Sequence, residues 1–137
     1  MPQEDVEVVK AAIAAFNRGG IETALQYLDE GIEWVGPPEW LEKHLYKGHE
    51  GMREIAAQWT ENFDEYRVDP VEFLDADSCV VVLAFQRGRI KGSSVPIENQ
   101  ISYVWTVRDG KSVHVQVFTW DEALAQIGRA AESPASE

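Results

Sequence analysis

Three histidines, His44, His49 and His114, are the side chains of this sequence whose ordinary titration falls near neutral pH. His44 lies in an irregular stretch, Glu39 to Gly51, next to Trp40 and Tyr46. That stretch could act as a lid over a pocket, and His44 is then the first candidate for a general acid or base. Its ordinary alternative is a solvated loop imidazole. His49 opens a helix and reads as structural. Glu98 stands near a strand end and could serve as a general base at a pocket rim. A solvated carboxylate is the competing reading, since an acid needs burial before its pKa approaches neutrality.

Other chemistries lack their parts. The spacing of the three histidines matches no ligand pattern for a metal, and the single cysteine, Cys79, can build neither a thiolate cage nor an internal disulfide. Its neighbours Val80, Val81 and Val82 suggest a small buried hydrophobe. A G-x-S-x-G nucleophile turn, a phosphate-cradling glycine loop and a dinucleotide fingerprint are all missing. Any reaction would be acid–base work with no cofactor. Trp34, Trp59 and Phe63 would suit the walls of an apolar cavity for a flat ligand, or equally a plain core.

Twelve basic against 24 acidic residues leave a net charge of −12, which repels nucleic-acid backbones and anionic membrane surfaces. With 45% hydrophobic residues the chain is an ordinary globular one. Its start, MPQEDVEVVK, is acidic where a secretory signal would be basic and then apolar, and no apolar run approaches a membrane span. A cytoplasmic protein is expected, with one domain over 1–128 and a flexible tail over 129–137.

The elements that must position these residues follow from periodicity. Val6, Val9, Ile13 and Phe16 mark one helical stripe, closed by the Asn17–Gly20 turn. Ile21, Ala24, Leu25 and Leu28 mark a second, shorter helix that Gly31 breaks, and Ile32 to Val35 reads as a short strand. Met52, Ile55, Ala56, Trp59 and Phe63 mark a third helix. Four strands are then expected, Tyr66–Leu74 (kinked at Pro70), Cys79–Ile90, Val95–Arg108 and Ser112–Thr119, with a short helix from Asp121 to Ile127. Helices first and antiparallel strands after them give an α+β fold. Asp109-Gly110 signals a two-residue hairpin, which pairs Arg108 with Lys111. One face then carries Gln100, Ser102 and Val104 with Val115, Val117 and Thr119; the other carries Tyr103 and Trp105 with His114, Gln116 and Phe118. Both faces are too apolar for water, so the one that helices leave bare is expected to meet a second copy in a homodimer.

The FNRGG turn, the IEW strand, the YKGHEGMRE segment and the VWTVRDGK hairpin resemble the nuclear transport factor 2-like superfamily, and most closely its SnoaL-like (polyketide-cyclase-like) branch. The resemblance covers Val6 to Gly128. It implies a cone: a strongly curved, mostly antiparallel sheet wrapped around three helices on the N-terminal side, with a central pocket. It also implies that Gln100 and Ser102 face that pocket, while Tyr103, Trp105, His114, Gln116 and Phe118 face the partner subunit. The positions at which ketosteroid isomerases of this superfamily carry their catalytic groups hold Ala12, Trp34 and Ser102. No Asp-Arg-Asp set like that of limonene epoxide hydrolases is present, and Trp120-Asp121 is the nearest counterpart of the late aspartate of some cyclases. The expected function is small-molecule binding, with isomerisation, elimination, cyclisation or hydration of a small apolar substrate as candidate reactions. His44 or Glu98 would be the base. Gln100, Ser102 and Tyr46 would orient the substrate, and Trp34, Trp59, Phe63, Val117 and Thr119 would enclose it. A non-catalytic ligand-binding or scaffold dimer is the alternative, and a protein-transport adaptor a weaker third.

Overall fold

The computed structural model describes residues 2–36, 45–76 and 79–118. Helix α1 runs from Pro2 to Gly19, with Val9 and Ile13 of the expected stripe fully buried and Ala12 and Ala15 completing the buried face. It stops at Gly20, whose φ of +81° lies in the left-handed region that only glycine enters without cost. Helix α2, Ile21–Ala24, passes directly into a 3-10 turn over Leu25–Tyr27.

Strand β1 spans Leu28–Val35 and so begins before the glycine that was expected to precede it. Gly31 does not break the strand. Its N–H donates to Asp29 Oδ2 at 2.8 Å, and the pairing register slips between Leu28 and Glu33 to absorb the irregularity. Strand β2, Leu45–Lys47, was not anticipated, because three residues are too few to display a period. Helix α3 covers Gly48–Asn62, and the strands β3 (Phe63–Asp75), β4 (Val80–Ile90), β5 (Pro96–Arg108) and β6 (Lys111–Phe118) follow. The expected helix at Asp121–Ile127 and the tail at 129–137 lie outside the described residues.

The six strands form one sheet in the order β2-β1-β6-β5-β4-β3. Only β1 and β6 are parallel. The sheet is curved and does not close, and the helices pack inside its bend. Bulges supply the bending. Strand β3 has two, between Asp64 and Arg67 and between Pro70 and Glu72. Pro70 is tolerated because β3 is an edge strand.

A further irregularity lies in the β5–β6 hairpin, and it corrects the expected faces. The turn does pair Arg108 with Lys111, but the register shifts between Thr106 and Val107, where Val113 is left without a partner. Beyond that point Trp105 opposes Val115, Tyr103 opposes Val117 and Ser102 opposes Phe118. One extra residue inverts the parity of everything after it. Tyr103 and Trp105 therefore face inward with Ile101, Val82 and Val117 in the main core, not outward toward a partner. His114, Gln116 and Phe118 share the outer face with Ser102 and Val104. Val81 and Leu83 of that face are themselves buried within the chain.

Candidate functional site

Ala12 on α1 and Ala56 on α3 are small where the helices cross the inner sheet face, and between them a cavity of about 90 Å³ remains. Its walls are aromatic and aliphatic. Among the described residues that line it, none is acidic, basic or a histidine. On one side Trp59 of α3 stacks on Tyr66 of β3, with ring centres 5.5 Å apart and planes 9° apart. Phe16 of α1 meets the same phenol edge-on at 6.0 Å. On the other side Trp34 of β1 packs against Tyr103 at 5.4 Å and against Trp105 at 6.4 Å.

Tyr66 owes its aim to strain. The first β3 bulge places Glu65 at φ +55°, a left-handed conformation that an ordinary side chain adopts at a cost. The bulge adds a residue to one strand only, so the side chain after it is re-aimed. Tyr66 then enters the cavity and meets Gln86 of β4.

Gln86 is 2% exposed and continues the inward row Val80, Val82, Ala84. Its Nε2 donates to the Tyr66 hydroxyl at 2.8 Å. The buried Tyr103 phenol lies close enough to both for them to act on its ionisation. Burial pushes both phenols well above the ordinary phenol range, and the Gln86 amide offsets only part of that. The cluster stays neutral and protonated at physiological pH. Trp105 Nε1, also buried, has no hydrogen-bond partner among the described residues.

The residues singled out in the sequence are distributed as follows. Trp34, Trp59 and Val117 line the cavity. Phe63 stands behind them, stacked on Trp59 at 5.8 Å and on Tyr66 at 6.4 Å. Tyr46 is buried between β1 and α3, and its hydroxyl accepts from Gln58 Nε2 at 2.7 Å. Glu98, Gln100 and Ser102 sit on the outer face, a correction that follows from the same inverted parity. Glu98 is exposed and bonds Arg87 Nε at 2.9 Å, so it is not at a cavity rim. Gln100 is exposed, and Ser102 is fully buried on the outer side of the sheet. His44 and Thr119 lie outside the described residues, as does Asp121. The His49 ring donates to the Leu28 carbonyl at 2.8 Å and ties α3 to β1. Tyr66, Gln86 and Tyr103 were not anticipated as a group. Gln86 had a visible signal, a lone amide in the otherwise apolar inward row of β4.

Among the described residues no group of three or more His, Cys, Asp and Glu side chains is gathered as a metal site, and no helix is long and apolar enough to cross a membrane.

The family model of the SnoaL-like domain matches residues 9–115. No match was found among curated protein sequences. Solved structures with similar folds include TerC co-crystallised with polyporic acid, which is 24% identical, has a TM-score of 0.73 and covers 90% of this chain and 97% of its own. A nuclear transport factor 2-like protein from Burkholderia xenovorans LB400 is 29% identical, with a TM-score of 0.68 and coverage of 91% and 95%. A protein from Jannaschia sp. CCS1 assigned to the SnoaL-like polyketide cyclases is 18% identical, with a TM-score of 0.72 and coverage of 91% of each chain.

Proposed function

The chain belongs to the SnoaL-like domain family, and from that premise we propose that it binds a small, flat, largely apolar organic molecule between its helices and the inner sheet face. The observation that carries the reading is the lining: two aromatic walls around a neutral hydrogen-bonded cluster, with no charged side chain among the described lining residues. Such a surface gains free energy from apolar contact and gives little to a polar or ionic ligand. The neighbour crystallised with polyporic acid and the one assigned to the polyketide cyclases support a ligand of this kind.

Acid–base chemistry on that molecule, as in a cofactor-free isomerase or cyclase, would need a titratable group beside it. Glu98 is turned outward and paired, which leaves His44 as the candidate base. Binding without catalysis needs no such group.

The test is a titration of planar hydrocarbons (indane, naphthalene and fluorene) followed by thermal shift and tryptophan fluorescence. A ligand at a hundred times its dissociation constant stabilises the native state by about 2.7 kcal/mol. Ala12→Leu, which fills the cavity from α1, is expected to abolish the shift while the protein stays folded. Absence of any shift up to the solubility limit, or an equal shift in Ala12→Leu, overturns the reading.

A further inference from the structure

The outer face of the sheet is drier than its described neighbours can make it. Val81 and Leu83 of β4 are only 2% and 5% exposed, and Ser102, opposite Leu83 on β5, is 0% exposed. The apolar side chains packed against Val81 and Leu83 are Leu74, Ala76, Cys79, Val104 and Phe118, which come from the strands β3 to β6 or the connection between β3 and β4. The helix residues Val9, Ile13 and Met52 belong to a separate cluster with Val82 and Tyr103, on the inner face. A sheet face with only its own strands for neighbours keeps part of each side chain in water. A further segment of protein therefore lies over this one.

We propose that the occupant is the C-terminal segment of this same chain, 119–137, laid across Val81, Leu83 and Val104 by a stripe of Trp120, Leu124 and Ile127. Strand β6 ends at Phe118, which opposes Ser102 and itself packs against the outer cluster, so the segment leaves the sheet at the edge of the patch. Its three large apolar residues stand at spacings of four and three, between Asp121, a helix-starting residue, and Gly128, a helix-ending one. Dimensions agree. A helix from Asp121 to Ile127 would be about 10 Å long, and β4 from Cys79 to Leu83 covers about 13 Å. The patch is also narrow, because Glu72 beside Leu83 and Gln100 below Ser102 are both exposed. A stable interface between two copies recruits about 20 residues or more from each, whereas a short helix needs only a handful. The stretch 37–44 is held at both ends by β1 and β2, and β1 stands three strands away from β4. The face expected to meet a second copy is then closed by the chain itself, and the fold is completed within one copy.

The native full-length chain provides the test. In methyl-labelled protein, nuclear Overhauser contacts are expected between Leu124 or Ile127 and Val81, Leu83 or Val104. They should be absent from a filtered spectrum of a mixture of labelled and unlabelled chains, which passes only contacts between copies. Contacts that pass the filter would put a second copy on the face, and no contact from the segment to any of the three would place it elsewhere; either result overturns the proposal. Cys79, beside Val81 and Leu83, reports the same cover through its rate of reaction with dithiobis(nitrobenzoate). Leu124→Asp and Ile127→Asp should each raise that rate roughly tenfold, because a carboxylate cannot stay buried on an apolar face. Gln126→Asp, which lies off the stripe, should leave it unchanged. Equal rates in the folded variants, or a rate in the native chain that rises on dilution, also overturns the proposal. The spectrum needs no variant, so it decides even where a substitution unfolds the protein.

Discussion

Asn17 offers the sharpest stability test. It lies in the last turn of α1, and its side-chain amide bonds both backbone groups of Val68: Nδ2 donates to the Val68 carbonyl at 2.6 Å, and the Val68 N–H donates to Oδ1 at 3.0 Å. Strand β3 ends the sheet, so Val68 has a strand on one side only, and the asparagine occupies the place of the missing neighbour. Asn17→Ala deletes two hydrogen bonds and leaves a buried N–H and C=O unsatisfied beside the core residue Val68. At about 1 kcal/mol per bond, and about as much again for stranding the backbone groups, the expected loss is roughly 2–4 kcal/mol. For a domain of this size that lowers the melting temperature by roughly 6–15 °C. Urea unfolding followed by far-UV circular dichroism reads the loss directly. Asn17→Asp separates the two bonds: the carboxylate still accepts from Val68 N–H but turns a second oxygen toward the Val68 carbonyl, so it should not rescue the protein. A loss below about 0.5 kcal/mol in Asn17→Ala, the level of an ordinary surface change, would refute the argument.

Three further expectations follow from the same geometry. Glu65→Val should cost roughly 1–2 kcal/mol, because a β-branched residue tolerates the left-handed bulge poorly, whereas Glu65→Gly should cost little; equal losses by urea denaturation would contradict the strain assigned to the bulge. Ser102→Ala should leave stability unchanged or raise it by about 1 kcal/mol, since the Ser102 hydroxyl is buried with no partner among the described residues; a clear loss would show that the hydroxyl is used. The phenols predict a pH dependence. Tyr66 and Tyr103 titrate above the ordinary phenol range when folded, because burial disfavours their ionised forms. Above a pH of about 10 the unfolded chain therefore releases protons that the native state keeps. The phenols' contribution to stability is constant below that pH and falls as pH rises through it, and the fall measured by urea midpoints should be shallower in Tyr66→Phe than in the native protein. An unchanged slope would count against burial of that phenol.

Much of the architecture was legible because it depends on local period. The stripe Val9-Ile13 on α1, the stripe Met52-Ile55-Ala56 on α3 and the Asp109-Gly110 turn are all where the pattern put them. The site was legible only in part, and the reason is specific. A face assignment carries along a strand only while the ladder is regular, and the unpaired Val113 lies three residues past the turn, before any of the residues whose direction mattered. The inward direction of Val115 and Val117 was read correctly, but their partners on β5 were inverted, which exchanged Tyr103 and Trp105 for Gln100 and Ser102. Tyr66 was hidden for a related reason. Its direction depends on a bulge at Glu65 that is neither a glycine nor an asparagine, so no turn residue announces it. Trp34 and Trp59 were found because large aromatics at core-facing positions also border whatever space the core leaves.

The single parallel pairing has a consequence for how the molecule forms. Trp34 meets Val115 across roughly eighty residues of intervening chain, so that contact pays a long loop-closure entropy before it returns anything. The meander from β3 to β6 is local and can assemble first, as a hairpin array with one greasy surface uncovered. Until β1 docks beside β6, α1 and α3 have no completed concavity to enter, and the Trp34 wall is not in place. By that ordering the Trp34 wall of the cavity is expected to be completed late in folding. A stopped-flow experiment should register it: the burial of Trp34, followed in a chain whose other tryptophans are replaced by phenylalanine, ought to lag behind the formation of β-structure.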